Sequence, residues 1–141
     1  MIIKIKYFEG AQKIEQTSNS DWIDLRSNIS IELKYRQHYL IPLGVAMQLP
    51  KLYEAHVVSR SSTFKNFGII QTNAPGIVDN SFCGNDDQWF FSALAMKATK
   101  IEKGDRICQF RLVQKQPKIG FVEILELQNI SRGGHGSTGI K

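Results

Sequence analysis

The sequence predicts an all-β protein, a sandwich or jelly roll, on three observations. Apolar and polar residues alternate in one short stretch after another, the period of a half-buried strand. No window of about twelve residues or more carries a clean helical stripe. Between the alternating stretches stand Gly, Pro, Asn, Asp and Ser, which turn a chain.

A length of 141 residues bounds the chain to one domain with one core, and 42% apolar with 22% charged residues is a globular composition that excludes general disorder. No apolar run approaches the roughly 18 residues of a membrane span. The start, MIIKIKYFEG, alternates Ile with Lys where a signal peptide needs an unbroken apolar stretch, so a cytoplasmic location with no membrane partner is expected. The net charge of +5 suits an anionic partner, but Lys and Arg are spread from Lys4 to Lys141. Phosphate is thus a theme that does not choose between nucleic acid and nucleotide. Cys83 and Cys108 have no CxxC spacing and no His cluster nearby, which argues against a disulfide framework or a zinc site and for buried or half-buried free thiols.

Ile2 to Phe8 (IIKIKYF) reads as a strand with Lys4 and Lys6 on one face, and Gln16 to Ser20 is a polar break. DWIDLRSN carries a short apolar pair around Asp24, and NISIEL alternates again. Tyr39 to Leu49 is apolar but interrupted by Pro42 and Gly44, which suits strands and opposes a long helix. Tyr53 to Val58 alternates, and the Ser and Thr of SRSSTFKN could cap a single helical turn. Phe67 to Thr72, Gln88 to Leu94 and Arg106 to Val113 read as further strands, with a Lys103 to Asp105 turn, and Phe121 to Leu127 (FVEILEL) reads as the last. The jelly-roll core therefore covers residues 1–127. Residues 128–141 (QNISRGGHGSTGIK) are too Gly-rich to build core, and form either a frayed terminus or a closing arm whose backbone wraps an anion.

Asn73 to Gly84 (NAPGIVDNSFCG) has the pattern of a tight hairpin carrying an acid at its bend. Asp79 follows Ile77 and Val78, so a strand could hold its carboxylate rigidly for catalysis; equally, Asp before Asn and Ser closes ordinary turns. His38 and His56 sit in alternating stretches and read as satisfied side chains, Trp22 as a packing residue, and Lys97, Lys100 and Lys103 as solvated surface.

Five segments, DWIDLRS, SRSS, NAPGIVDNSF, GDRICQF and RGGHGSTG, are not needed for a core. In this order they resemble the five signature motifs of the trimeric dUTP pyrophosphatases (dUTPases), spread from Asp24 to Gly139. The resemblance is strongest to short Bacillus-type and phage-type members, whose arm also reads RGGHGSTG. It implies a distorted jelly roll (β-clip), a homotrimer with exchange of the C-terminal arm, and active sites at subunit interfaces. The implied reaction hydrolyses dUTP to dUMP and pyrophosphate with Mg²⁺, keeping uracil out of DNA and supplying dUMP for thymidylate synthesis.

By the same resemblance Asp79 activates the water that attacks the α-phosphorus, while Ser61 and Gln109 assist at phosphate and water. Arg60, Ser61 and Ser62 contact the phosphates. Asn73 with Gly76, Ile77 and Val78 reads uracil, and Phe82, where most members have Tyr, packs beneath the deoxyribose. Asp24 joins the Mg²⁺ shell through a water, and Arg132, Gly136, Ser137 and Thr138 of the arm close on the γ-phosphate. Two departures stand out. The arm's usual uracil-capping aromatic is replaced by His135, so either His135 stacks or the cap lies elsewhere; Phe90, in the NDDQWFF insertion, is the candidate, against a reading of Trp89, Phe90 and Phe91 as core or interface. Ser59 stands where many relatives have Pro. Rival readings are a nucleotide-gated regulatory binder of phage type with a protein partner, a dCTP deaminase of the same fold, and a nucleic-acid-binding module. The third lacks the basic and aromatic interleaving of a stacking platform, so no stable nucleic-acid partner is expected.

Overall fold

A computed structural model describes residues 1–140. Eleven strands and one short helix follow in order: β1 Lys4–Tyr7, β2 Ile23–Arg26, β3 Ile31–Leu33, β4 His38–Pro42, β5 Val45–Gln48, β6 Tyr53–Ser59, α1 Thr63–Phe67, β7 Ile69–Gln71, β8 Gly76–Val78, β9 Phe90–Ala95, β10 Thr99–Ile101 and β11 Arg106–Gln114. The fold is all-β, as the alternation predicts.

The largest sheet runs β2-β11-β6-β8; a second runs β4-β9-β7, and β1-β5 and β10-β3 form two-stranded ribbons. All pairings are antiparallel. The inward faces meet in one core containing Leu25, Ile41, Val57, Phe91, Ile107 and Phe110. Trp89 packs edge-on against Phe110 at 5.3 Å between ring centroids, tying the start of β9 to β11. Trp89 and Phe91 are fully buried and Phe90 faces outward, as alternation requires. Burying a side chain of this size contributes about 1.5–3 kcal/mol, which fixes the strand's facing.

Three expectations need correction. Phe121 to Leu127 is not a strand: Phe121 is 94% and Leu125 101% exposed, and a ladder needs a partner edge that the described residues do not offer there. Strand β10 is not marked in the sequence, because its three residues are too few to show a period. The Asn73 to Gly84 stretch is not a closed hairpin, since β7 pairs with β9 while β8 crosses to the other sheet and pairs with β6. Cys83 is exposed, whereas Cys108 is buried; both are free thiols.

The helical turn at the Ser cluster forms, though not through the expected cap. Ser62 occupies the N-cap position without a side-chain hydrogen bond. Instead the buried Thr63 hydroxyl accepts from the Arg60 N–H at 2.8 Å and donates to the Ile107 carbonyl at 2.9 Å. Gly68 ends the helix at φ 59°, a left-handed conformation that favours glycine. His38 and His56 are satisfied side chains, bonded at 2.7 Å to Ser92 Oγ and to Glu54 Oε1 respectively. No helix among the described residues is long and apolar enough to cross a membrane.

Candidate functional site

The end of the large sheet where β2, β11 and β6 lie side by side carries a cavity of about 280 Å³, lined by Asp24, Arg26, Arg60, Ser61, Arg106 and Gln109, with Glu15, Thr17, Ser20 and Trp22 on its outer rim. Register puts these residues together: Gln109 is opposite Asp24 on one side and Val58 on the other. Arg60 follows the last residue of β6, and the Thr63 clamp fixes the turn that carries it. Its Nε lies 2.8 Å from Asp24 Oδ1, and its Nη1 donates to the Arg106 carbonyl at 3.3 Å. Gln109 donates to the Ser59 carbonyl at 3.3 Å, drawing β11 and the Arg60 turn together. Ser62 makes no cap bond and is not among the residues that line the cavity.

Charge gives the cavity its chemistry. Three guanidinium groups face two carboxylates, a surplus of one positive charge in a half-buried recess. Forked N–H donors at such a place suit phosphate oxygens. Cys108, directly beneath, is no nucleophile: burial pushes its thiol well up, the Asp24 charge adds to this, and Arg60 opposes it.

Asp79 lies elsewhere. Its carboxylate accepts from the Ser81 N–H at 2.8 Å, and Lys115 Nζ is 3.7 Å away. The Ser81 donors hold this exposed carboxyl below its ordinary value; desolvation opposes them, and the Lys115 charge adds a lesser lowering. The following Asn80 is anchored by its side-chain amide to the Leu49 and Pro50 carbonyls at 2.9 and 3.2 Å. Asp79 therefore closes a turn and also presents an ionised carboxylate at a fixed place, so the two readings of this residue coexist.

One chain thus gathers Asp24, Arg60, Ser61 and Gln109, but does not bring them to Asp79. Val78 pairs with Ala55 and Gln109 with Val58, on opposite sides of β6. That separation is roughly 10 Å across the sheet and at least roughly 10 Å along it. Gly76, Ile77 and Val78 form β8 on the far side of β6 from Gln109, with Gly76 opposite Val57 at the end nearer Arg60; Asn73 precedes this strand, and the 42%-exposed Phe82 follows Asp79 in the chain. Phe90, 47% exposed, is on the outward face of β9, while Trp89 and Phe91 are core and are removed as candidate caps. Arg132, His135, Gly136, Ser137 and Thr138 lie in an exposed segment with turns at 135–138, outside the cavity; Lys141 lies outside the described residues.

Sequence reading missed Arg26, Arg106 and Glu15 as cavity residues, and took Trp22 for packing where it forms a wall with the Arg111 guanidinium over its ring at 5.6 Å. Arg106 stands inside GDRICQF and Arg26 inside DWIDLRS, so charge within the motifs was the available signal. Glu15 had none, because it lies in an irregular stretch whose place only the tertiary fold decides.

Fold and cavity together define an all-β jelly roll with a guanidinium-rich anion pocket. The dUTPase family model matches residues 13–139. The chain is 55% identical over 142 residues to the SPbeta prophage-derived deoxyuridine 5'-triphosphate nucleotidohydrolase YosS of Bacillus subtilis, covering 100% of both. It is 35% identical over 127 residues to a deoxyuridine 5'-triphosphate nucleotidohydrolase of Helicobacter pylori, covering 89% of this chain and 86% of that one. Among solved structures, the Staphylococcus bacteriophage 80alpha dUTPase with dUPNHPP superposes with a TM-score of 0.82 over 99% of both chains at 18% identity. A phage phi11 dUTPase, described with a structural Mg(II) ion, superposes at 0.75 over 90% of this chain and 100% of that one at 16% identity. The chain belongs to the dUTPase family.

Proposed function

We infer that the protein is a dUTP diphosphatase, releasing dUMP and pyrophosphate. The observation that carries this reading is the convergence of three of the five motifs, through Asp24, Arg60 with Ser61, and Gln109, on one cavity suited to phosphate, in a chain 55% identical end to end to a named dUTP nucleotidohydrolase. These similarities favour hydrolysis over a regulatory binder or dCTP deamination.

In this reading Arg60, Ser61 and Ser62 hold the phosphate chain and Gln109 orients it. Asp79, kept ionised by Ser81 and Lys115, takes the proton of the attacking water. Asn73 and the β8 backbone read uracil, Phe82 supports the sugar, and Phe90 or His135 caps the base. Residues 128–141, through Arg132, Gly136, Ser137 and Thr138, close over the phosphates. Magnesium would be held chiefly by the phosphates, with Asp24, a hard carboxylate fixed by Arg60, helping through water, and would neutralise charge on the phosphates.

The distance between Asp79 and Gln109 supports a site shared between copies. If both act on one water, the acid of one copy serves the pocket of another, as in a homotrimer. The apolar, alternating and unpaired Phe121 to Leu127 segment suits contact with a neighbouring copy. A cytoplasmic place fits a nucleotide substrate. Pyrophosphate release with Mg²⁺, compared for dUTP, dCTP, dTTP and UTP, tests the function: dUTP is turned over in strong preference, and a lack of dUTP turnover overturns the reading.

A further inference from the structure

The charged side chains of the cavity alternate in sign. Glu15 Oε2 lies 3.6 Å from Arg26 Nη2 and 3.4 Å from Arg106 Nη2. Asp24 in turn bridges Arg106 Nη1, at 3.6 Å, and Arg60 Nε, at 2.8 Å. The two carboxylates are held very differently. Asp24 belongs to β2, is paired to Gln109 across the ladder, and its side chain is 26% exposed. Glu15 lies in the stretch between β1 and β2, in no strand, and its side chain is 69% exposed. Among the described residues its ion-pair partners are these two guanidinium groups.

A carboxylate oxygen set between two guanidinium groups occupies the place a phosphate oxygen would take, with the same donors and the same sign of charge. We propose that Glu15 is a resident counter-ion: it holds the anion position between Arg26 and Arg106 in the free protein, and the phosphate chain displaces it. The proposal rests on reading the cavity as the phosphate site. The exchange is inexpensive because the Glu15 carboxylate is exposed, so its attraction to the two half-buried guanidinium groups is screened by water. On product release the carboxylate returns and competes with pyrophosphate for the same two arginines. Glu15 is therefore a positioning residue that tunes anion selectivity and product escape, with no part in bond cleavage.

The test is calorimetric binding of inorganic pyrophosphate to the full-length protein, without magnesium, for wild type, Glu15→Gln and Glu15→Ala, with Glu54→Gln as a control remote from the cavity. Both Glu15 variants should bind about two- to fivefold more tightly than wild type, with the gap narrowing as salt rises, and the control should not change. Pyrophosphate should then inhibit nucleotide hydrolysis by the Glu15 variants more strongly by a similar factor. Unchanged or weaker binding in both variants overturns the proposal, as does wild-type protein that binds no pyrophosphate. Pyrophosphate binding that responds as expected in a protein that turns over no dUTP keeps the counter-ion and removes the hydrolase.

Discussion

The two ends of the β2-β11-β6-β8 sheet are built on opposite plans. At one end, arginines and carboxylates interlock around a cavity, each guanidinium held by a carboxylate and the turn bearing Arg60 clamped by a buried threonine. At the other, one carboxylate stands exposed on a tight turn, with backbone donors and a distant lysine keeping it ionised. The first end suits holding charge, the second suits moving a proton. A single chain keeps the two groups apart, on either side of β6.

The largest effect is expected at the reacting end. Asp79→Asn should lower kcat by about 10²- to 10⁴-fold with little change in melting temperature, because an exposed turn residue carries little packing. Arg60→Ala should lower kcat/KM by about ten- to a hundredfold through lost charge-assisted contacts to phosphate. Co-refolding the two inactive variants in equal amounts should restore activity to about a quarter of the wild-type sites if each site takes one end from each of two copies. No recovery would place both ends in one copy, against the separation seen here. Phe90→Ala should weaken uracil nucleotide binding about two- to tenfold while leaving inorganic pyrophosphate binding unchanged; unchanged nucleotide affinity would assign the ring to an interface or to bare surface.

The smallest effect concerns pH. If Asp79 acts as proposed, as the anion, activity should be lost as pH falls through its pKa, which lies below the ordinary carboxylate value. Lys115→Met removes one of the stabilising charges and should move the acidic limb of kcat/KM to higher pH, whereas the same change at Lys100, paired with Glu102 away from both ends, should not.

Strands such as β6 and β9 could be read directly, since each has a buried face that imposes a period on the sequence. The same rule failed at Phe121 to Leu127, where the period is present but no partner edge lies among the described residues. The motif residues Asp24, Arg60 and Gln109 were visible, and register explains their meeting. Hidden were Glu15, placed by an irregular stretch, and the crossing of β8 to a different sheet from β7, because turn residues mark a change of direction without naming the strand that follows.

β6 is laddered on both sides, to β11 and to β8. It therefore tolerates exchange of its outward side chains far better than a change in its length. One residue inserted or deleted between Ala55 and Ser59 would invert the facing of every position beyond it and slide Arg60 by about 3.3 Å relative to β8. Descendants of this sequence should accordingly keep β6 at constant length.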